Sequence, residues 1–381
     1  MVVWEVGGVW VFGIWFLCCG VSHPLSITLR SSLRIKGILR HGIESKVSLY
    51  ADDLLLYLRD PLETIPVAES TLKEFGSFSG YKLNFQKSEC FPVSRDAHNL
   101  TQAAIPFRLS PAGFRYLGVN ITHNISSIVR ANFPPLIAEM NADFQRWNSL
   151  PLSLAGRVQC VKMSILPIFL YLFQCLPVFL PKSFFKDIDK AVTNFIWSGK
   201  VPRIRKPILQ KSKIDSGLAL PNFFYYYLAA NVQKICFWLH SPEIDWCRLE
   251  SLLCSSTSLL AMIFSTLPLS QEQYSVNPVV LSTLKIWSQL SGLAKSQNAS
   301  SLIPIRSNHL FPPSLTDSTF LQWANLGINN FRDLYENKIF SSFEKLSDKF
   351  KLPPTNFFRY LQPVVNVSCF PEINSVISCC K

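Results

Sequence analysis

Two adjacent aspartates separate two strongly apolar runs in residues 46–58, KVSLYADDLLLYL, and this pattern constrains the local fold more than any other in the chain. The flanking runs are rich in residues that favour strands, and a short polar break between such runs is typical of an antiparallel hairpin. The pattern therefore predicts a β-hairpin with Asp52 and Asp53 at its turn.

These two carboxylates give the first indication of chemistry. Neighbouring like charges raise one another's pKa, so a bound divalent cation is their natural partner. The alternative is that Asp52 and Asp53 are solvated turn residues, because aspartate is a common turn former. The context favours a site, since apolar residues flank the pair and Tyr50 lies just before it.

The positive charge of the chain is concentrated in one segment. The formal net charge is +12, and residues 146–213 carry 12 Lys and Arg against 2 Asp and Glu. Residues 1–145 carry 13 against 12, and residues 214–381 carry 12 against 11. Because each cation near a phosphate releases condensed counterions, a concentrated basic segment favours a polyanion. The charge predicts nucleic acid as the first partner and a membrane surface as the second.

Composition excludes several classes of protein. With 48% hydrophobic and 16% charged residues, the chain is too apolar to be disordered. It has 11 cysteines without short-spaced pairs of pairs, a pattern that predicts neither a disulfide framework nor a zinc ribbon.

Two apolar stretches have some features of membrane spans. Residues 6–21 carry no charge, but they are short for a helical span and lack the positive start of a signal peptide. In residues 164–181, Pro167, Pro177 and Pro181 should break one helix into short pieces, which favours a buried helix pair. We expect a cytoplasmic or nuclear protein without a membrane partner. A protein anchored through residues 6–21 is an alternative that rests on hydrophobicity alone.

Several ordered motifs resemble the reverse transcriptase of non-LTR (LINE-type) retrotransposons. Residues 50–53 (YADD) look like its acidic palm signature, residues 79–84 (SGYKLN) like the next palm motif, and residues 114–119 (FRYLGV) like its primer grip. Residues 146–221 resemble the thumb and the following segment, and residues 331–361 resemble a downstream region. The resemblance covers about residues 24–362 and is specific because the order and spacing of several motifs agree.

The resemblance implies a two-metal phosphoryl transfer with an RNA template, a DNA primer and deoxynucleoside triphosphates. In that family paired acids help to hold two Mg²⁺ ions, so Asp52 and Asp53 would be metal ligands, Asp53 with the weaker role. Lys87, or failing that Lys82, would lie near the triphosphate, although a solvated lysine is an equally good reading. In the motif formed by Tyr116, Leu117 and Gly118, the glycine would allow close approach of a primer strand; its alternative is an ordinary turn glycine.

The basic segment would then follow the phosphates of a template-primer duplex. Arg203, Arg205 and Lys206 form its tightest cluster, and contact there would be independent of sequence. Trp147 and Trp197 are predicted to pack rather than to stack on bases. The other basic side chains predicted for this surface are Arg157, Lys162, Lys182, Lys186, Lys190, Lys200, Lys211 and Lys213.

A two-metal site needs a third carboxylate from an earlier strand, and upstream of Asp52 the only acids are Glu5 and Glu44. Neither lies in a segment that resembles the first palm motif of the family. We therefore expect a 5′-truncated remnant of an RNA-directed DNA polymerase that is inactive by itself. The alternative in another class is a non-catalytic, basic nucleic-acid-binding protein.

The predicted fold class is α+β, a partial palm with an antiparallel hairpin and helices, followed by mostly helical regions. Residues 341–350 carry a helical pattern with a capping box at Ser341 and Glu344. The predicted regions are an unrelated apolar leader at 1–23, a partial palm at 24–125, a helical basic thumb-like region at 126–250, an irregular linker at 251–313 and a helical region at 314–381.

Overall fold

A computed structural model describes most of the chain. The described residues are 23–50, 53–80, 82–93, 105–241, 243–252, 259–263, 277–294, 304–306, 308, 311–336 and 339–368. The chain divides into two compact units, residues 1–230 (unit 1) and residues 231–381 (unit 2). This division differs from the predicted boundaries at residues 125 and 250.

The first part of unit 1 combines short strands with two helices. Three antiparallel hairpins, β1–β2, β3–β4 and β7–β8, and one parallel pair, β5–β6, are separate two-stranded sheets in the described part of the chain. The elements are α1 (His23–Ser31), β1 (Ile38–Arg40), β2 (Ile43–Ser45), β3 (Val47–Tyr50), β4 (Asp53–Leu56), α2 (Pro61–Ser79), β5 (Glu89–Cys90), β6 (Arg108–Leu109), β7 (Phe114–Tyr116) and β8 (Val119–Ile121).

A small core fixes the β3–β4 hairpin against the helices α1 and α2. Leu25 and Leu29 of α1, Val47 of β3, and Ala68 and Phe75 of α2 are buried in this core. Leu54 and Leu56 of β4 pack on it. The sequence thus forms the predicted hairpin because one face of an otherwise marginal two-stranded ribbon is covered by helices.

The second part of unit 1 is helical. Its largest buried side chains are aromatic, and Phe144 stacks on Phe195 with ring centroids 4.4 Å apart. Asn132 joins this part to β8, because its amide group bonds both the N–H and the carbonyl of Asn120. The helices are α3 (Ile125–Asn148), α4 (Leu154–Cys160), α5 (Leu166–Cys175), α6 (Lys182–Ile196), α7 (Lys206–Gln210) and α8 (Phe223–His240), the last of which crosses into unit 2.

The expected break at Pro167 is wrong. A π-helical turn at Val161–Ile165 joins α4 to α5, and the N–H of Leu166 bonds the carbonyl of Val161, five residues back. Pro167 occupies the start of α5, where a missing N–H costs little. The following residues 176–181 are extended, so the expected second helix of a pair is also absent there.

Leu154–Cys175 is the one helical stretch in the described part of the chain that is long and apolar enough to cross a membrane. The same composition suits a core helix, and Phe169 and Phe173 on this stretch are fully buried. After it, the hydroxyl of Tyr227 donates to the carbonyl of Val178 and accepts from the N–H of Leu180, which fixes the extended segment.

Unit 2 contains two hydrophobic clusters, one around α10 and α11 and one toward its C-terminal end. The predicted irregular linker at 251–313 is wrong over residues 278–294, which form a helix with Val280 and Leu284 buried. The elements are α9 (Asp245–Leu252), α10 (Leu259–Ile263), α11 (Pro278–Ala294), α12 (Pro313–Thr316), α13 (Thr319–Asn325), β9 (Tyr335–Glu336), β10 (Ile339–Phe340), α14 (Phe343–Phe350) and α15 (Phe357–Ser368).

The predicted cap of α14 is displaced by one residue. The side chain of Ser342, not that of Ser341, accepts from the N–H of Lys345 and caps the helix. Ser341 is buried, and its carbonyl accepts from the hydroxyl of Tyr360. At the coarse level, the predicted α+β class is confirmed: the chain mixes helices with small antiparallel hairpins.

Candidate functional site

The acidic hairpin forms as predicted, but Asp53 belongs to strand β4 and not to the turn. Tyr50 pairs with Asp53 and Leu49 with Leu54, so Ala51 and Asp52 connect the strands. Asp52 lies outside the described residues, and nothing in the structure bears on its predicted role. Asp53 is exposed at the start of β4 and forms no ion pair with any described residue.

The two faces of this hairpin have different surroundings. Val47, Leu54 and Leu56 face the core formed with α1 and α2, whereas Leu55 and Tyr57 belong to a second cluster. Because side chains alternate along a strand, Asp53 shares the face of Leu55 and Tyr57. The hydroxyl of buried Tyr57 lies 3.3 Å from the hydroxyl of Ser48 on this same face.

The FRYLGV motif forms a second hairpin. Phe114 pairs with Ile121 and Tyr116 with Val119, and both connecting residues, Leu117 and Gly118, have positive φ angles of 46° and 79°. Two left-handed residues are the requirement of the two-residue turn that matches strand twist. The positive φ angle explains why residue 118 is glycine. Crowding does not explain it, because a Cβ there would meet only Tyr171, at 3.9 Å.

The structure brings the two hairpins together with helix α5. Tyr116 packs on Tyr57 of the acidic hairpin, and the hydroxyl of Tyr171 on α5 donates to the carbonyl of Leu117. Burial raises the pKa of Tyr171, and nearby Cys175, Tyr50 and Tyr116 act in the same direction. Side chains from three separate sequence segments therefore meet beside the face that carries Asp53.

The predicted lysines Lys82 and Lys87 are both exposed. Lys87 is exposed in a turn where the side chain of Asn84 accepts from the N–H groups of Gln86 and Lys87. Lys82 is also exposed, and neither lysine forms an ion pair within the described part of the chain. Both lysines are therefore exposed to solvent, and their predicted role near a triphosphate stays a prediction.

The described residues do not supply the donors of a two-metal site. Among them no group of three or more His, Cys, Asp or Glu side chains is arranged to hold a metal. The carboxylate of Glu44 accepts from the N–H of Gly37 at 2.7 Å and lies 3.4 Å from the ammonium of Lys46. Glu44 is therefore committed to the β1–β2 hairpin, and Asp53 is left as a single acid in the described part of the site.

The predicted basic surface divides into exposed and engaged side chains. Lys206 forms an ion pair with Asp189 at 2.5 Å, and Lys162 is half-buried. The ammonium of Lys182 lies 6.0 Å from the ring centroid of Phe224. The exposed cations are Lys182, Lys186, Lys190, Lys200, Arg203, Arg205, Lys211 and Lys213.

Arg157 corrects the sequence prediction. It is only 6% exposed, its guanidinium donates to the side chain of Asn148 and the carbonyl of Phe195, and it lies over the Phe195 ring. A buried arginine with these partners tethers α4 to α6 and does not contact a phosphate. Trp147 likewise packs on Phe144 and Phe195, as predicted.

The lysines of α6 occupy one face of that helix. Lys182, Lys186 and Lys190 recur every four residues, so they are neighbours along the exposed side. The opposite side is buried through an apolar pattern that includes Phe185 and Ile188. This amphipathic pattern places three cations about 6 Å apart along the axis, given a rise of about 1.5 Å per residue.

Two features of unit 1 were not predicted from the sequence. Tyr171 meets Leu117 across 54 positions of sequence, and no local pattern announces such a pair. The second is Ile214, an isoleucine in a polar run of the sequence whose side chain is almost fully exposed. No protein-family model matches the chain.

Proposed function

We propose that this chain is a palm-and-thumb portion of an RNA-directed DNA polymerase of the non-LTR retrotransposon type, which binds template-primer duplexes but does not extend a primer by itself. The observation that carries the proposal is the contact between the YADD hairpin and the FRYLGV hairpin. These motifs lie about 60 positions apart in sequence, and the resemblance assigns both to the place where a primer end is held.

The contact supports the proposal because it is a feature of the fold and does not depend on the resemblance. Tyr57 follows the acidic strand directly, and Tyr116 ends the first strand of the second hairpin. Their packing places the turn of Leu117 and Gly118 on the same side of the acidic hairpin as Asp53. Two unrelated hairpins have no general reason to meet through the faces that carry their motif residues.

The expected inactivity follows from the carboxylates. Two adjacent acids cannot surround two cations without a third donor from a neighbouring strand. Glu44, the nearest upstream acid, already accepts from the N–H of Gly37 and forms an ion pair with Lys46. Polymerisation by these residues alone is therefore not part of the proposal.

The exposed cations favour a second candidate, a nucleic-acid-binding protein without catalytic ancestry. Ten of the twelve excess positive charges fall in residues 146–213, and most of the cations there are exposed. A backbone-binding surface of this kind needs neither a metal nor the two hairpins. The two candidates differ in whether the end of a primer matters.

The test is binding and extension on an RNA template annealed to a shorter DNA primer. We expect salt-sensitive binding, tighter to the recessed primer end than to a blunt hybrid of equal length, and no extension with Mg²⁺. An Asp52→Asn, Asp53→Asn double variant should behave as the unmodified chain does in extension. Extension that depends on the two aspartates would show that a third ligand exists.

Charge variants provide the matched control for binding. Replacing Lys182, Lys186 and Lys190 with Ala should weaken binding. It should also reduce the salt slope, the slope of the logarithm of the binding constant against the logarithm of the salt concentration, by roughly 2 to 3. Replacing three exposed lysines of unit 2, Lys285, Lys345 and Lys349, removes the same charge and should leave the slope nearly unchanged. Equal binding to recessed and blunt ends would favour the second candidate.

A further inference from the structure

Ile214 occupies the end of a tightly bonded loop in unit 1. The loop leaves α7 at Leu209 and returns at Leu220, both of which are buried. Between them, residues 211–217 form a projection, named here the 211–217 tip, in which the Ile214 side chain is 96% exposed. An aliphatic side chain so fully hydrated has lost the usual benefit of its apolar surface.

The backbone of this loop is held by its own hydrogen bonds. The N–H groups of Leu218 and Leu220 both donate to the carbonyl of Leu209, at 3.1 and 2.9 Å. The N–H of Ala219 donates to the carbonyl of Lys211 at 2.8 Å, and that of Gly217 donates to Ser212 at 2.8 Å. These four bonds close the base of the loop, so the tip is presented by a fixed backbone.

Strained residues accompany these bonds. Ser216 and Ala219 have positive φ angles of 61° and 51°, which cost non-glycine residues free energy. At Gly217 a Cβ would come within 2.1 Å of the Lys211 carbonyl, so no other residue fits. The loop keeps this costly backbone conformation while its isoleucine stays exposed, which favours a contact between that side chain and a partner.

The surroundings of Ile214 are cationic. Lys211 and Lys213 flank it and are exposed, while the carboxylate of Asp215 accepts from the hydroxyl of Ser212. On α6, the carboxylate of Asp189 forms an ion pair with Lys206. One apolar side chain between two exposed lysines therefore projects from a segment with a large positive excess.

We propose that the 211–217 tip enters the minor groove of duplex nucleic acid, with Ile214 against a base step and Lys211 and Lys213 at the phosphates. This inference rests on the proposed nucleic-acid-binding function and assigns a contact within it. The minor groove of an A-like duplex is wide and shallow and exposes its base edges between two rows of phosphates, so a single aliphatic group flanked by two cations can reach a base step there. Apolar wedges at base steps are an established means of gripping a duplex.

Other anionic partners fit the tip less well. Single strands are held mainly by stacking on aromatic rings, and isoleucine offers no such face. Insertion into a membrane surface requires several adjacent apolar residues on one side. Here the neighbours of Ile214 in the tip, residues 211–213 and 215–216, are polar and exposed.

The experiment compares the full chain with an Ile214→Ala variant on an RNA–DNA hybrid that carries 2-aminopurine, whose fluorescence rises on unstacking. The full chain should raise the fluorescence on binding. Ile214→Ala should abolish the rise and weaken binding about ten-fold, with no change in salt slope because no charge is lost. Val201→Ala, at an 82% exposed position outside the tip, is the matched control and should bind normally.

A Lys211→Ala, Lys213→Ala variant should weaken binding and lower the salt slope by about 2. If the full chain shows no salt-dependent binding to the hybrid, the proposed function itself fails. If it binds but Ile214→Ala binds equally well with the same fluorescence, only the wedge is wrong. Binding that depends on Ile214 with phosphatidylserine vesicles but not with the hybrid would overturn the wedge in favour of a membrane contact.

Discussion

The two units differ in the kind of charge that each one buries. Unit 1 holds a buried arginine, Arg157, between the side chain of Asn148 and the carbonyl of Phe195. Unit 2 holds a buried carboxyl group, Glu250, which accepts from the indole N–H of Trp238 at 2.6 Å. Arginine stays charged at any ordinary pH, whereas a buried carboxyl group can be neutral or charged.

This difference separates the responses of the units to pH. Burial raises the pKa of Glu250 to about 7, against the opposing effects of Trp238 and Lys234. Unit 1, by contrast, keeps its ionisable tyrosines Tyr57 and Tyr227 protonated, because burial raises the pKa of each. Mild changes of pH should therefore alter the stability of unit 2, while the basic surface of unit 1 keeps its structure.

Removal of the buried cation should have the largest effect. Arg157→Met leaves the acceptors on Asn148 and Phe195 without their donor, and we expect a loss of about 3 kcal/mol in the free energy of unfolding. Denaturant titration followed by circular dichroism measures this loss, and Arg203→Met on the surface is the control. A loss no larger than that of the control would show that Arg157 is not held as described.

The pH response of Glu250 should be the next largest. Its folded pKa of about 7 lies above the ordinary value of 4.5, so the folded state binds the extra proton between these values. The associated stability is present in full below pH 4.5 and is lost as pH rises through 7, by roughly 2 to 3 kcal/mol between pH 5 and pH 8. Glu250→Gln should remove the decline between pH 5 and 8.

The difference between Glu250→Gln and the unmodified chain isolates this group from other carboxyl groups. Denaturant titrations at several pH values measure it. The Arg157→Met variant should keep the full decline, since its change lies in the other unit. An unaltered decline in Glu250→Gln would contradict the assignment and move the pH dependence to another residue.

The smallest effect concerns a neutral group of unit 1. Tyr227→Phe removes the hydroxyl that bonds Val178 and Leu180, and we expect a loss of about 1 kcal/mol. Because this hydroxyl does not ionise in the range, the loss should be equal at pH 5 and pH 8. Hydrogen exchange of the Leu180 amide provides a local measure. A loss of stability that grew with pH would contradict the difference in pH response between the two units.

Local patterns were predicted well, and contacts across the chain were not. The β3–β4 hairpin follows from two β-rich runs and a polar break, although its register places Asp53 in a strand and not at the predicted turn. The bond from Tyr171 to Leu117 spans 54 positions and depends on tertiary packing that no pattern encodes. The predicted nucleic-acid role of Arg157 failed because charge alone cannot distinguish a buried guanidinium from a surface one.

Proline and serine content misled two further predictions. Pro167 was expected to end a helix, but one π-helical turn absorbs the missing N–H. The serine-rich stretch at 251–313 was expected to be irregular, yet its residues 278–294 bury Val279, Val280 and Leu284 in helix α11. In both places hydrophobic packing overrides a local preference that was read correctly.

The π-helical turn at Val161–Ile165 also sets a rotational phase. It lies between Arg157, which points to Asn148 and Phe195, and Tyr171, which bonds the turn of the second hairpin. Successive side chains of an α-helix are rotated by about 100° about the helix axis. One extra residue between Arg157 and Tyr171 therefore changes the angle between the directions of these two side chains. Deleting one residue of the π-helical turn would leave a regular α-helix in which either Arg157 or Tyr171 could keep its partners, but not both. The π-helical turn therefore allows one continuous helix to make both sets of contacts.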